Sequence, residues 1–170
     1  IFKNKVRLQK KAGGSDDRRG AIGDSQLAAR ERFFSSHNGL VGVYAKELNR
    51  ESLWEAFFAR RVYATNGPRI VLKVTIGDCL MGGQLTAAAG DPRAIRVYTV
   101  LDGLLDRIDL LVDGQLTESQ QDFPNRVLEF ATECRFQFQP GPHAYHVRVR
   151  QTDSNQAWSS PIWVDGQASA

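Results

Sequence analysis

Ile70-Val71-Leu72-Lys73-Val74-Thr75-Ile76 decides the fold class. Ile70, Leu72, Val74 and Ile76 alternate with Val71, Lys73 and Thr75. That is the period of two a half-buried strand requires, because successive side chains leave opposite faces. Downstream the same grammar repeats. Ile95–Val100 is rich in β-branched residues, and Arg107–Val112 alternates Ile108, Leu110 and Val112. Asp113-Gly114 then signals a tight turn. Arg126–Phe130, Cys134–Phe138 and Ala144–Arg150 read as strands, and Asp153-Ser154-Asn155 as a turn. Ala157–Val164 closes the run, with Pro161 demoting it to an edge or a bulge. Short strands at regular spacing, with no helix between them, predict an antiparallel β-sandwich over 69–165. Its expected interior includes Ile70, Leu72, Ile108, Leu110, Val112 and Val147.

Upstream of Ile70 the period changes. Asn49 is a good helix N-cap, Glu51 suits the first turn, and Leu48 with Leu53 occupies the positions of a hydrophobic staple. Leu53, Trp54, Phe57 and Phe58 fall on one face, and Arg60 and Arg61 suit the negative end of the helix dipole. The expectation is a helix over 50–61 whose aromatic face packs on another body. Asn66-Gly67-Pro68 turns the chain from helix to strand. Tyr63 is expected to be mostly buried, with its hydroxyl hydrogen-bonded; the competing reading puts Tyr63, Thr65 and Arg69 in a substrate site. Further upstream, residues 26–34 suit a short helix, 13–25 a Gly-, Asp- and Ser-rich loop, and 1–12 a weak strand.

Charge and composition narrow the classes. The chain has 170 residues, 42% hydrophobic and 24% charged, which is enough to build a core. Its net charge of +3 is uneven: residues 1–36 carry nine Lys or Arg against four acids, and the rest carries 13 against 15. No DNA- or RNA-reading motif accompanies that basic segment, so a solvated segment is expected and nucleic acid is not. No run approaches the ~20 apolar residues of a membrane span, so no membrane partner is expected. There is no signal-peptide pattern in this numbering and no initiator Met, so the chain reads as part of something longer. Two cysteines, Cys79 and Cys134, permit at most one disulfide.

Candidate chemistry is sparse. Ser15-Asp16-Asp17 sets oxygen ligands in a glycine loop, suited to a hard cation or to an Asx-type turn. His143 and His146 leave opposite faces of a strand and do not readily share a metal, and His37 has no partner nearby in sequence. Ser159-Ser160 lacks the strained elbow of a serine nucleophile. Trp158 and Trp163 would suit stacking on sugar rings if both were exposed; they are five apart, hence on opposite faces of an unbroken strand unless Pro161 alters it, and core packing is expected of both.

Three stretches carry a resemblance. Gly13-Gly14-Ser15-Asp16-Asp17-Arg18-Arg19-Gly20 resembles the last metal motif, roughly G-S-D-x-H, of the PHP superfamily (polymerase and histidinol phosphatase). Asn49 to Ile70 is similar to the T-R-E-x-I-W-x-A-L-x-x-R-R-x-Y-A-T-x-G-x-R-I signature of its carbaryl-hydrolase-like branch. Gly39–Ala45 looks like the strand following the metal motif, and Ala157–Val164 like the usual ending. The resemblance implies the C-terminal part of a metal-dependent hydrolase of phosphoesters or carbamate-like esters, with divalent metals in a barrel. Asp16 matches a metal ligand; Arg18 stands where the family has His, and a guanidinium does not ligate. The expected class is therefore α+β: a loop and helix remnant of a PHP barrel in 1–68, an antiparallel β-sandwich in 69–165 and a tail in 166–170. No stably bound metal and no hydrolase activity are expected of this chain alone. The expected partner is the missing N-terminal barrel, or another body covering helix 50–61. The alternative is a non-catalytic sandwich that binds a glycan or a protein.

Overall fold

The computed structural model describes residues 39–88, 92–121 and 129–167. Within them the alternation of 70–76 becomes a two-faced strand. β3 (Val71–Ile76) buries Leu72, Val74 and Ile76, while Val71 and Lys73 face outward. It pairs antiparallel with β4 (Cys79–Leu80) and β6 (Pro92–Val100), and β6 pairs with β9 (Glu129–Gln137), giving the order β4-β3-β6-β9. The second sheet contains β1 (Leu40–Val43), β2 (Val62–Thr65), β5 (Gln84–Ala88), β7 (Leu105–Val112), β8 (Gln115–Gln120), β10 (Gly141–Gln151), β11 (Gln156–Ser159) and β12 (Ile162–Gln167). β10 is its axis. β7 and then β8 extend one side; β11 and β12 lie along the other, end to end. β11 carries β2 and β1 outward, and β12 carries β5.

One apolar cluster joins the sheets. Leu72, Val74 and Ile95 from the small sheet share it with Ile108, Val147, Val149 and Ile162 from the large one. All six residues expected inside, Ile70, Leu72, Ile108, Leu110, Val112 and Val147, are buried. Each such side chain contributes on the order of 1.5–3 kcal/mol of transfer free energy. The described part is therefore mostly β-sheet, sandwich-like, with a single helix, α1 (Arg50–Phe58).

Several expectations are corrected. The large sheet crosses position 68, because β2 pairs with β11 across some ninety positions of sequence. Strand β12 runs to Gln167, so the tail does not begin at 166; Gly166 is buried, close against the Gln139 carbonyl. The sandwich is not wholly antiparallel, since β5 runs parallel to β12. Residues 134–137 continue β9, which begins at Glu129, and do not form a strand of their own. Pro161 splits the last strand into β11 and β12 and does not make it an edge, since β11 pairs with β10 and β2 and β12 with β10 and β5. The Asp113-Gly114 turn forms as read, with φ of 50° and 85°, the left-handed pair that a tight hairpin demands.

Leu72→Ala should lower unfolding free energy by about 2–5 kcal/mol, since Leu72 is fully buried between the sheets. Urea denaturation reads this out. A loss under about 1 kcal/mol would mean the sheets do not close on one another there.

Candidate functional site: the helix and its junction

α1 begins as its sequence dictates. The Asn49 Oδ1 accepts from the Ser52 N–H at 2.8 Å, and Glu51 sits in the first turn. It ends early. Ala59 caps it, and Arg60 turns left-handed with φ 58°. The Arg60 N–H donates to Phe57 O at 3.0 Å and the Arg61 N–H to Ala56 O at 2.9 Å. These are the paired bonds of a Schellman ending, built with an arginine where glycine is usual. So Arg60 and Arg61 lie beyond the helix, not in its last turn as expected. The staple is absent too, because Leu48 is 94% exposed.

The aromatic face of the helix lies largely outside the sandwich. Trp54 is 64% exposed, Phe57 46% and Phe58 69%, whereas Ala56 is fully buried. The helix thus turns its small side inward and its large rings outward. Trp54 and Phe58 meet edge to face, with centroids 5.1 Å apart.

The segment after α1 locks the helix to both sheets. The Arg60 Nε donates to Gly82 O at 3.0 Å, and its guanidinium lies 4.8 Å from the Trp163 ring centroid. Gly82 has φ 91°, and a Cβ there would lie 2.7 Å from Ala59 O, so only glycine fits. Tyr63 packs its ring over Gly42, its cross-strand partner, where no Cβ intervenes. The Tyr63 hydroxyl bonds to the Leu72 backbone, and the Tyr44 hydroxyl donates to Leu72 O at 3.1 Å. Two tyrosines of the large sheet thus grip β3 of the small one. Burial, with the neighbouring Tyr63 and Tyr98 hydroxyls, pushes Tyr44 up to about 12; burial also raises Tyr63. The Thr65 Oγ1 donates to Pro68 O at 2.7 Å and accepts from the Gly67 N–H. Asn66 and Gln156 bond reciprocally: the Asn66 N–H donates to Gln156 O at 3.2 Å, and the Gln156 N–H to Asn66 Oδ1 at 2.7 Å.

The other sequence candidates find structural places. Tyr63 is half-buried with its hydroxyl bonded, and Thr65 is buried within the turn while Arg69 is exposed. The junction occupies those residues. Ser159 is fully buried, its Oγ accepting from the Val147 N–H at 2.9 Å, a structural tie. His143 and His146 stand opposite Val164 and Leu111 and face apart. Trp158 stands opposite Arg148, and Trp163 opposite Ala144. Positions 144 and 148 share a face of β10, so both indoles lie on the same outer face, the arrangement that Pro161 left open; neither is buried in the core as expected. The break at Ser160-Pro161 resets the alternation between them. Asp16, Asp17, Arg18 and His37 lie outside the described residues. Among the described residues no three His, Cys, Asp or Glu side chains converge as a metal site, and no helix is long and apolar enough to cross a membrane.

Arg60 offers one test of this geometry. Arg60→Ala keeps the left-handed backbone cost and loses both guanidinium contacts; Arg60→Gly loses the contacts but removes the strain. The alanine variant should be less stable than the glycine variant by about 1 kcal/mol in chemical denaturation. Equal stabilities would show that Arg60 is unstrained.

His143 offers another. Its Nδ1 lies 2.6 Å from Asp113 Oδ2 and its Nε2 3.1 Å from Pro140 O, so both nitrogens face acceptors. The Asp113 hydrogen bond, aided by Pro140, raises His143 above 6.5. Partial burial opposes ionisation of Asp113, but the bonds from His143 and the Ala144 N–H prevail and hold it below 3.8. A raised histidine stabilises fully below its unfolded value and loses that contribution as pH rises through its folded value; a depressed carboxylate does the reverse. The clamp is thus complete between pH 3.8 and 6.5 and weakens on either side. The Tm difference between the parent chain and His143→Ala should peak in that window and shrink toward pH 8. A pH-independent difference would exclude the charged clamp.

Three uncharacterized chlamydial proteins match 96% of the chain: one from Chlamydia pneumoniae at 32% identity, one from Chlamydia trachomatis at 31% and one from Chlamydia muridarum at 30%. The chain spans 28% of the length of each. Among solved structures, the Clostridium thermocellum CbhA fibronectin(III)-like modules align with 59% of this chain and all of theirs, at 17% identity and a TM-score of 0.42. A family model described as "Protein of unknown function (DUF3604)" matches residues 2–96, more than half of the 170, and the chain belongs to that family.

Proposed function

We propose that this chain is the C-terminal portion of a PHP-type metal-dependent hydrolase, acting on phosphoesters or carbamate-like esters, and that its sandwich supports the catalytic barrel. The observation that carries this reading is the use made of the stretch 49–70. There the resemblance is most specific, and there the chain builds a capped helix, a locked junction and the entry to both sheets. Of the residues that match the signature, Trp54 is presented on α1, Arg60 and Tyr63 tie down the segment that follows it, and Thr65 and Gly67 shape the turn into β3. A support domain needs such a rigidly mounted surface, and a catalytic centre within the chain does not account for it.

The chain's own donor set does not fit the family's metals. Asp16 is the one matching ligand, and Arg18 replaces the expected histidine with a permanent cation. A centre that lowers the pKa of bound water needs several ligands in fixed geometry. No catalytic step is therefore assigned to these residues. The binding-module alternative draws on Trp158 and Trp163 sharing a face, but the indoles are only partly exposed and Arg60 already stacks on Trp163.

The test is turnover by the full-length Chlamydia pneumoniae relative. Metal-dependent hydrolysis of a model phosphoester or an aryl carbamate is expected from it, and none from the 170-residue chain. A folded relative inert toward both substrates with manganese, zinc or magnesium would reject the reading. So would turnover by the short chain that disappears in Asp16→Ala.

A further inference from the structure

The outward rings of α1 form a surface with a definite shape. Trp54, Phe57 and Phe58 lie at i, i+3 and i+4 on a convex helix, with Trp54 and Phe58 in contact, and Val41 of the edge strand β1 is 40% exposed. β1 contacts α1 and, among the described residues, pairs on one side only, with β2. Three aromatics of ~200 Å² each, at these exposures, leave on the order of 300 Å² of ring surface in water. The largest apolar patch on an ordinary monomer is about 300–600 Å² and is often functional. Its rim is polar: Glu47, Arg50, Glu51 and Glu55 are exposed around it, and Glu55 is tied to Arg61 at 2.8 Å. An apolar centre inside a charged rim is the anatomy of a protein–protein contact. Because the surface is convex, it does not enclose a small molecule, which needs a concavity.

We infer that the aromatic face of α1 is an intramolecular docking surface, and that its occupant is an apolar, concave flank of the part of the longer family polypeptide lying outside the stretch this chain matches. The share of each relative's length spanned here, 28%, leaves most of those polypeptides available as occupant. The mounting supports it as well. The Schellman ending, the Arg60 contacts and the Tyr44 and Tyr63 bonds to Leu72 hold the helix in one orientation, so the rings are presented with little ordering left to lose on docking. This inference rests on the support-domain reading for its occupant, but not on the reaction assigned there.

Hydroxyl-radical footprinting tests it. In the 170-residue chain, Trp54, Phe57 and Phe58 should label quickly and independently of protein concentration. In the intact Chlamydia pneumoniae relative, residues aligned with those three should label roughly tenfold more slowly than in its matched stretch expressed alone. Leu116, 55% exposed on β8, is the reference: its counterpart should label alike in both forms. Equal labelling of the helix in both forms would overturn the inference. So would slow labelling in the 170-residue chain, which would place the cover within that chain, or labelling that slows with concentration, which would make the occupant a second copy. A relative that shows the protection but no hydrolysis would remove the proposed reaction and leave the docking surface standing.

Discussion

The pairing of β2 with β11 is the constraint on which the rest of the structure depends. Thr65, Ala64 and Tyr63 stand opposite Ala157, Trp158 and Ser159. The ladder is extended at one end by the reciprocal Asn66–Gln156 bonds and at the other by the Ser160 N–H donating to Val62 O at 3.2 Å. Closing a loop of some ninety residues costs entropy before any contact returns it, so this ladder is made worthwhile by what it anchors. β1 pairs only with β2 among the described residues, and the gap between those two strands holds α1. Remove the ladder and the helix, the edge strand and both tyrosine ties to Leu72 lose their positions together.

Local strain is offset by distant contacts at the same place. Arg60 adopts a backbone conformation that costs an L-residue about 1–2 kcal/mol, and its guanidinium recovers a hydrogen bond to Gly82 and a stacking contact on Trp163. Gly82 is drawn equally close, its N–H donating to Pro161 O at 2.9 Å. The end of α1, the β4–β5 turn and the break between β11 and β12 thus meet at one point. Such convergence fixes the direction of a short helix that would be marginal in isolation.

Much of the fold is legible from residue order. Alternation over 70–76 and 107–112, the Asp113-Gly114 turn and the Asn49 cap are local signals, and local physics honours them. Strand β5 escaped because Gln84-Leu85-Thr86-Ala87-Ala88 is short and weakly apolar, and its partner β12 is remote in sequence. Strand β8 escaped because nearly all its residues are exposed, leaving no apolar face to read. The end of α1 escaped because the left-handed position carries Arg60 rather than glycine. The shared face of Trp158 and Trp163 depends on a strand break whose register no local rule supplies. The aromatics of α1 face outward, whereas a helical stripe of rings ordinarily faces a core.

Native-state hydrogen exchange of the 170-residue chain tests the central role of the β2–β11 ladder most directly. If the ladder joins the segment before position 69 to the sandwich as one unit, the Asn66 and Ser160 amides should open with the same free energy and denaturant dependence as the core amide of Val149. Asn66 and Ser160 exchanging orders of magnitude faster, while Val149 stays protected, would contradict it.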